Sequence, residues 1–332
     1  MKSIVIKAGN IQMEERIEPV ISTGEVLVQV NACGLSREDL LSLGELGSVD
    51  GFVIGREVCG VVKKVADDAF KSLLERKVIL IPYQNCRICE CCRSSRESMC
   101  DELRTMGVYD APVSKHALDG GAAQMVRVTA TMVLPVGSDV PDEQLCCVHI
   151  FAVALAASHK AQMIYSEDAA ILGNGTVGLA LIPVLNALGA KQVIYIDADD
   201  SNRQIAKRMG AAACIAPKKE DMKGIICRTV FDTLCTSETQ RLGIGLLREK
   251  GTMINLALGS EGVEYVLSDL NGERCICNVT GASVKDYYDV LKMMEMRRLS
   301  AEQLVGEIFK LVDYHTALKR LKSGVAHVVL TP

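Results

Sequence analysis

The stretch that decides the fold is Ala169-Ala170-Ile171-Leu172-Gly173-Asn174-Gly175-Thr176-Val177-Gly178, together with Val193-Ile194-Tyr195-Ile196-Asp197 downstream. A short apolar run ends in a glycine-rich turn, and the turn opens an apolar segment at helical spacing that runs to Leu188. Gly189 and Ala190 break that segment, and a second apolar strand ends at Asp197, 19 residues after the third glycine. Strand, G-x-G-x-x-G, helix, strand, acid is the pattern of a dinucleotide site. Gly173 allows the tight turn, Gly175 lets the backbone approach a pyrophosphate, and Gly178 is expected to let helix and strand pack closely. The helix start at Thr176 and Val177 offers N–H groups and partial positive charge to the phosphates. Asp197 can accept the ribose hydroxyls of NAD and repels the extra phosphate of NADP, unless Arg203 offsets it.

Working outward, the segment from 150 to 279 alternates strand and helix. Strands are expected at Gln192–Ile196, Ala213–Ala216, Thr229–Leu234 and Thr252–Ala257, with helices at Ser201–Met209 and Gln240–Arg248. Such alternation implies a parallel sheet covered on both faces. Residues 1–149 read differently. Short alternating strands at Ser3–Lys7, Ile11–Glu15, Glu25–Asn31, Gly60–Val65 and Lys77–Pro82 suggest a compact, mostly β domain of the barrel type. The run Ala32–Leu40 is expected to leave the third strand and start a short helix. An alanine-rich helix at Leu145–Ala161 carries the domain boundary near residue 150. The tail holds helices at Val284–Met296 and Thr316–Leu321 and a strand at His327–Leu330.

The 332 residues accommodate two domains, and a net charge of −4 with 23% charged residues gives no sign of a nucleic-acid-binding surface. No apolar run approaches the ~20 residues of a membrane span. The N-terminus alternates like a strand and lacks a signal peptide's apolar core, so a cytoplasmic protein is expected. In a reducing compartment its 14 cysteines are expected to be thiols or metal ligands. Cys86, Cys89, Cys92 and Cys100 form C-x2-C-x2-C-x7-C, with Cys91 spare. Four thiolates fill the tetrahedral shell of zinc and leave no open position, which makes the lobe at 86–100 a structural zinc site.

The order of these parts, with the motifs NCRICECCRSSRESMC, LGNGTVG, DGGAAQMVRV and LKSGVAHVVLTP, resembles the zinc-type medium-chain alcohol and polyol dehydrogenases over essentially the whole chain. The resemblance implies an α/β protein: a GroES-like, mostly β catalytic domain (1–149 and 280–332) plus a doubly wound Rossmann parallel sheet (150–279) that binds NAD(H). It also implies a small-molecule substrate and a homodimer or homotetramer.

The resemblance breaks at the catalytic zinc. Where the family has its first cysteine ligand this chain has Ser36, and the histidine of the family's G-H-E motif is Arg56. The third ligand position falls at His149, and the proton-relaying hydroxyl is replaced by Glu38. Of the usual set, Glu57 remains, and Arg37 matches a position that reaches the pyrophosphate. A guanidinium stays protonated and cannot ligate a metal, and a serine hydroxyl is a poor zinc ligand beside a thiolate. The catalytic zinc is therefore expected to be absent.

Three readings follow. In the first, an active oxidoreductase works without that zinc, Arg56 stabilising an oxyanion and His149 or Glu38 acting as general acid or base. In the second, the cofactor pocket persists without turnover. In the third, a conventional zinc dehydrogenase uses other ligands. The bland alternatives are an Arg56 ion pair with Glu57 or Glu38, a His149 bonded to backbone, and a solvated Arg37.

Overall fold

The computed structural model describes residues 1–332 apart from 8, 38, 41–50, 108–115, 138, 163–164, 174, 219 and 258–261. Two units form. One comprises Met1–His149, Ala282–Arg297 and Val305–Pro332; the other Ile150–Gly281 with Arg298–Leu304. Among the described residues no helix is long and apolar enough to cross a membrane.

In chain order the first unit contributes β1 (Lys2–Lys7), β2 (Asn10–Glu15), β3 (Glu25–Ser36), β4 (Glu57–Val65), β5 (Lys77–Leu80), β6 (Tyr83–Gln84), β7 (Arg104–Met106), β8 (His116–Leu118), β9 (Met125–Thr129) and β10 (Val133–Pro135). The second holds β11 (Asp168–Leu172), β12 (Gln192–Ile196), β13 (Ala213–Ile215), β14 (Cys227–Asp232), β15 (Leu247–Asn255) and β16 (Cys275–Asn278). The chain then returns with β17 (Glu307–Lys310) and β18 (His327–Thr331).

The first unit is built on β3, a strand of 12 residues. Its sheet runs β10-β5-β4-β3-β18-β17, and β9 also pairs β3. Val26, Val28 and Val30 turn into a core with Ile4, Val58, Val62, Val126, Leu321 and Val328, as their alternation indicates. Contrary to the sequence expectation, the strand does not end at Asn31. Residues Cys33–Ser36 pair antiparallel with Leu330–His327 of β18, and helical residues begin only at Arg37. Local pattern cannot reveal a partner that lies almost three hundred residues away.

The second unit holds six parallel strands in the order β13-β12-β11-β14-β15-β16. This is the doubly wound order, whose reversal between β11 and β14 opens a crevice at the carboxyl ends of the strands. Ala169–Leu172 are buried throughout, as fits a strand covered on both faces. The expected Gln240–Arg248 helix is instead Ser237–Leu246, and Leu247 starts β15. The strand expected at Thr229–Leu234 ends at Asp232, whose carboxylate accepts the N–H groups of Leu234 and Cys235 and turns the chain. The short strands β16 and β17 were not anticipated.

Candidate active site

The four thiols of the cysteine lobe converge. Their Sγ atoms lie within 4.8 Å of one another, and among the described residues no other group of three or more ligating side chains meets that condition. The lobe is wired for anionic sulfur: the N–H of Cys86 points at Cys100 Sγ (3.2 Å), that of Cys89 at Cys86 Sγ (3.3 Å) and that of Cys92 at Cys89 Sγ (3.5 Å). Backbone N–H groups of Cys92 and Asp101 pull the Cys89 thiol down to about 6, while burial and the neighbouring thiols push Cys92 up to about 12. Four thiolates so close stabilise one another only around a cation, and the donor set fits zinc.

The glycine-rich turn follows β11. Gly173 and Gly175 take φ of +101° and +98°, and the helix Thr176–Ala187 starts with no side-chain cap. A Cβ on Gly173 would come within 2.6 Å of the Leu234 side chain, so this position demands glycine. Gly178 does not behave as expected: a Cβ there would sit 3.5 Å from Thr233, an ordinary contact. Thr176 is buried; Asn174 lies outside the described residues.

Asp197 directly follows β12 and is buried. Its carboxylate accepts from the Tyr195 hydroxyl (3.0 Å), Asn202 Nδ2 (3.0 Å) and the N–H of Asp199 (2.8 Å). A carboxylate has about four acceptor positions, so one remains for a ribose hydroxyl and a second would displace a protein donor. Arg203 is held by the carbonyls of Asp197 (2.6 Å) and Ala198 (2.9 Å) and by Asp200. The turn, the helix start and the acid fit a dinucleotide.

At the expected catalytic centre β3, β4 and β18 bring the replaced positions together. Ser36 is buried at the end of β3, and both its N–H and its hydroxyl donate to Asp39 Oδ2, at 2.8 and 2.9 Å. The other oxygen of Asp39 stands 3.1 Å from Arg56 Nε. Among the described residues an ion pair thus joins Arg56 to Asp39; Glu57 bonds His327, and Glu38 lies outside the described residues. Arg37 is exposed.

Glu57 opens β4 and points the other way, its Oε2 2.8 Å from Nε2 of His327 on β18. Both side chains are essentially inaccessible, and His327 Nδ1 has no hydrogen-bond partner among the described residues. Burial pushes the Glu57 carboxyl up. Burial opposes a charge on His327, yet the Glu57 carboxylate and its hydrogen bond raise the imidazole to about 9. The pair retains one proton across neutral pH. Gly34 leaves room for it: a Cβ there would lie 2.5 Å from Glu57 Oε2 and 2.7 Å from His327 Nε2.

His149 opens the helix Val148–Lys160. It bonds not to backbone but to a side chain: its Nδ1 is 2.5 Å from the Tyr287 hydroxyl. The two rings stack with centroids 5.9 Å apart, and Tyr83 meets both edge-on at 6.0 and 6.4 Å. Burial, then the charge of Arg56, hold His149 well below 6.5, and burial keeps Tyr287 well above 10. Both are neutral at neutral pH.

Comparison with known proteins agrees with this architecture. The alcohol dehydrogenase GroES-like domain family matches residues 22–138, and the zinc-binding dehydrogenase family matches residues 176–296. The chain belongs to the zinc-type medium-chain dehydrogenase/reductase family. It is an oxidoreductase of that family. L-galactonate-5-dehydrogenase of Escherichia coli K12 is 22% identical over 305 residues, covering 88% of this chain and 86% of that one. Sorbitol dehydrogenase of Bombyx mori is 23% identical over 346 residues, covering 97% and 95%. A short chain alcohol dehydrogenase of Escherichia coli CFT073, solved with NADH, superposes with a TM-score of 0.91 at 23% identity, over 100% of this chain and 99% of that one.

The sequence singled out Ser36, Arg56, Glu57 and His149 but not His327, which bonds Glu57, nor Tyr83 and Tyr287, which pack against His149. A lone histidine opening an apolar strand was the available signal for His327. Nothing local distinguishes the two tyrosines.

Proposed function

We propose that this family member is an NAD(H)-dependent oxidoreductase that interconverts a hydroxyl and a carbonyl, or reduces an activated C=C or C=N bond, with a structural zinc and no catalytic one. The observation that carries this reading is the joining of Ser36 and Arg56, the two replaced ligand positions, through the Asp39 carboxylate. Two hydrogen bonds and an ion pair occupy the side chains that would have to bind metal. Polyols and sugar acids are the first substrate classes to try, given what the relatives' names say they act on.

The first unit serves as the catalytic domain and the second as the dinucleotide domain. When bound, the nicotinamide supplies or accepts the hydride. Arg56 stabilises the developing oxyanion by charge and hydrogen bonding, and the neutral His149 belongs to the acid–base machinery. Glu57 holds His327 across Gly34 of β3 and so ties β18 to β4 over the intervening strand. Gly173, Gly175, Thr176, Val177 and Gly178 cradle the pyrophosphate, with Arg37 a further candidate for binding it, and Asp197 selects NAD. Glu38 is a further candidate acid–base group. The thiolates of Cys86, Cys89, Cys92 and Cys100 hold the structural zinc and fix the lobe. A homodimer or homotetramer is the expected assembly.

The test is zinc per chain in undialysed protein together with NADH binding by fluorescence. One zinc with NADH bound supports the reading; two zincs per chain overturn it and favour a conventional dehydrogenase with unusual ligands. A second reading, a cofactor-binding protein without turnover, is favoured by the neutralisation of Arg56 by Asp39. It stands if NADH binds and a broad panel of alcohols and carbonyls shows no hydride transfer.

A further inference from the structure

Three segments that are far apart in the chain deliver three hydrogen-bonding aromatic groups to one spot: Tyr83 from β6, His149 from the start of its helix, and Tyr287 from the helix Val284–Glu295. The groups form a line. The Tyr83 ring meets Tyr287 edge-on and its hydroxyl helps hold the proton on the Tyr287 phenol, and the Tyr287 hydroxyl meets His149 Nδ1 at 2.5 Å. The line has an inner and an outer end. Tyr287 is 0% exposed and His149 5%, whereas Tyr83 is only half-buried. Packing alone would be served by phenylalanine; three polar tips joined inside an apolar interior need a further reason, since each polar group taken from water is costly unless bonded.

We infer that Tyr83 is the catalytic residue that exchanges a proton with the substrate hydroxyl, and that Tyr287 and His149 relay that proton behind it. This inference rests on the dehydrogenase reading above. In the direction of oxidation the O–H and C–H bonds of the substrate carbon break and C=O forms. The C–H electron pair leaves as hydride to the oxidised nicotinamide dinucleotide. The O–H proton passes to the Tyr83 oxygen, the Tyr83 proton to the Tyr287 oxygen, and the Tyr287 proton to His149 Nδ1. Each tyrosine gives one proton and takes one, so neither is left charged. Reduction runs the same line in reverse. His149 starts as the neutral Nε2–H tautomer; burial and the nearby Arg56 disfavour the imidazolium, so once the product has left the proton returns from Nδ1 through Tyr287 and Tyr83 to solvent water, and the line is reset. The groups around the line are Arg56 and Glu57 on the barrel side, Tyr83 on β6, and Tyr287 on its helix. Arg56 supplies charge for the oxygen, and the tyrosine line supplies the proton, so the two parts of the metal's work are divided.

The experiment pairs kinetics with spectroscopy. With NAD as oxidant and D-sorbitol, xylitol and L-galactonate as probes, Tyr83→Phe and Tyr287→Phe are expected to lower kcat by about 10²-fold with little change in KM, with NADH binding near wild type in both. The melting transition is expected to stay near wild type in Tyr83→Phe and to fall in Tyr287→Phe, which leaves the buried His149 Nδ1 without its partner. Histidine-labelled ¹⁵N NMR of the protein without substrate is expected to show His149 neutral at pH 6.5 with Nδ1 as a hydrogen-bond acceptor, a signature that Tyr287→Phe removes. Wild-type turnover with an undiminished Tyr83→Phe variant overturns the relay alone, as does a His149 that is protonated at pH 6.5. Failure of the wild type on every probe overturns the relay and the proposed activity together.

Discussion

Arg56 Nε lies 3.1 Å from Asp39 Oδ1, and the other oxygen of Asp39 takes both the N–H and the hydroxyl of Ser36. One carboxylate therefore fixes the geometry of both side chains. Arg56→Ala is expected to lower kcat/KM by about 10²- to 10³-fold, the usual cost of losing an oxyanion donor, with NADH affinity unchanged. Arg56→Met with Asp39→Asn, which removes both charges, is expected to recover the melting temperature lost in Arg56→Ala without recovering turnover. Recovered turnover would show that Arg56 fills space and nothing more.

Reversing the two substitutions provides the converse test. Ser36→Cys with Arg56→His restores a thiolate and an imidazole beside Glu57 and His149, and a thiolate is the ligand class zinc prefers. Metal analysis is expected to rise from one zinc per chain to two.

The Glu57–His327 pair makes stability depend on pH. His327 sits at about 9 in the folded protein against 6.5 in an unfolded chain, so the native state binds more protons between those values. Its contribution is complete below pH 6.5 and is lost as pH rises through 9, on the order of 3 kcal/mol in all. Urea unfolding at pH 6.5, 8 and 9.5 reads this decline. Gly34→Ala places a methyl 2.5 Å from Glu57 Oε2; it is expected to cost roughly 1–3 kcal/mol by overpacking and to flatten the same pH dependence.

Removing the metal from the cysteine lobe is expected to loosen the catalytic unit. Cys100→Ser deletes the one buried thiol of the four. Its expected cost is on the order of 3–5 kcal/mol, with the zinc content falling towards zero. Circular dichroism melts and metal analysis of the same sample check it.

Cofactor choice tests Asp197. NADH is expected to bind at least about tenfold tighter than NADPH, and Asp197→Ala is expected to bring the two together. A fluorescence titration with each nucleotide decides it. Because Asp197 also receives Tyr195 and Asn202, part of the lost affinity will reflect a loosened β12 end.

The parts legible in the sequence were those whose signal is local. Cys86, Cys89, Cys92 and Cys100 lie within one short segment, and the turn from Gly173 to Gly178 with Asp197 lies within one β-α-β unit. The parts that escaped depend on distant chain. The end of β3 was misjudged because its partner is His327–Leu330, and the ion pair of Arg56 with Asp39 was not anticipated; of the two partners expected for Arg56, Glu57 faces His327 and Glu38 lies outside the described residues. On a strand, neighbours point to opposite faces, and Glu57 accordingly turns to His327. The tyrosines were invisible for the same reason: Tyr287 and His149 are 138 positions apart.

The separation between Glu57 and His327, 270 positions, bears on how the molecule is made. Synthesis delivers the whole of Ile150–Gly281 before β18 exists, so the inner parallel sheet has all its strands while the outer one still lacks the segment that neutralises a buried carboxylate. The domain that is first to begin is therefore the last to finish. Until β18 docks, β3 presents the open edge Cys33–Ser36, a site for mispairing with other chains. Yield in cells is thus expected to respond more to changes in residues 305–332 than to equally severe changes in the inner domain.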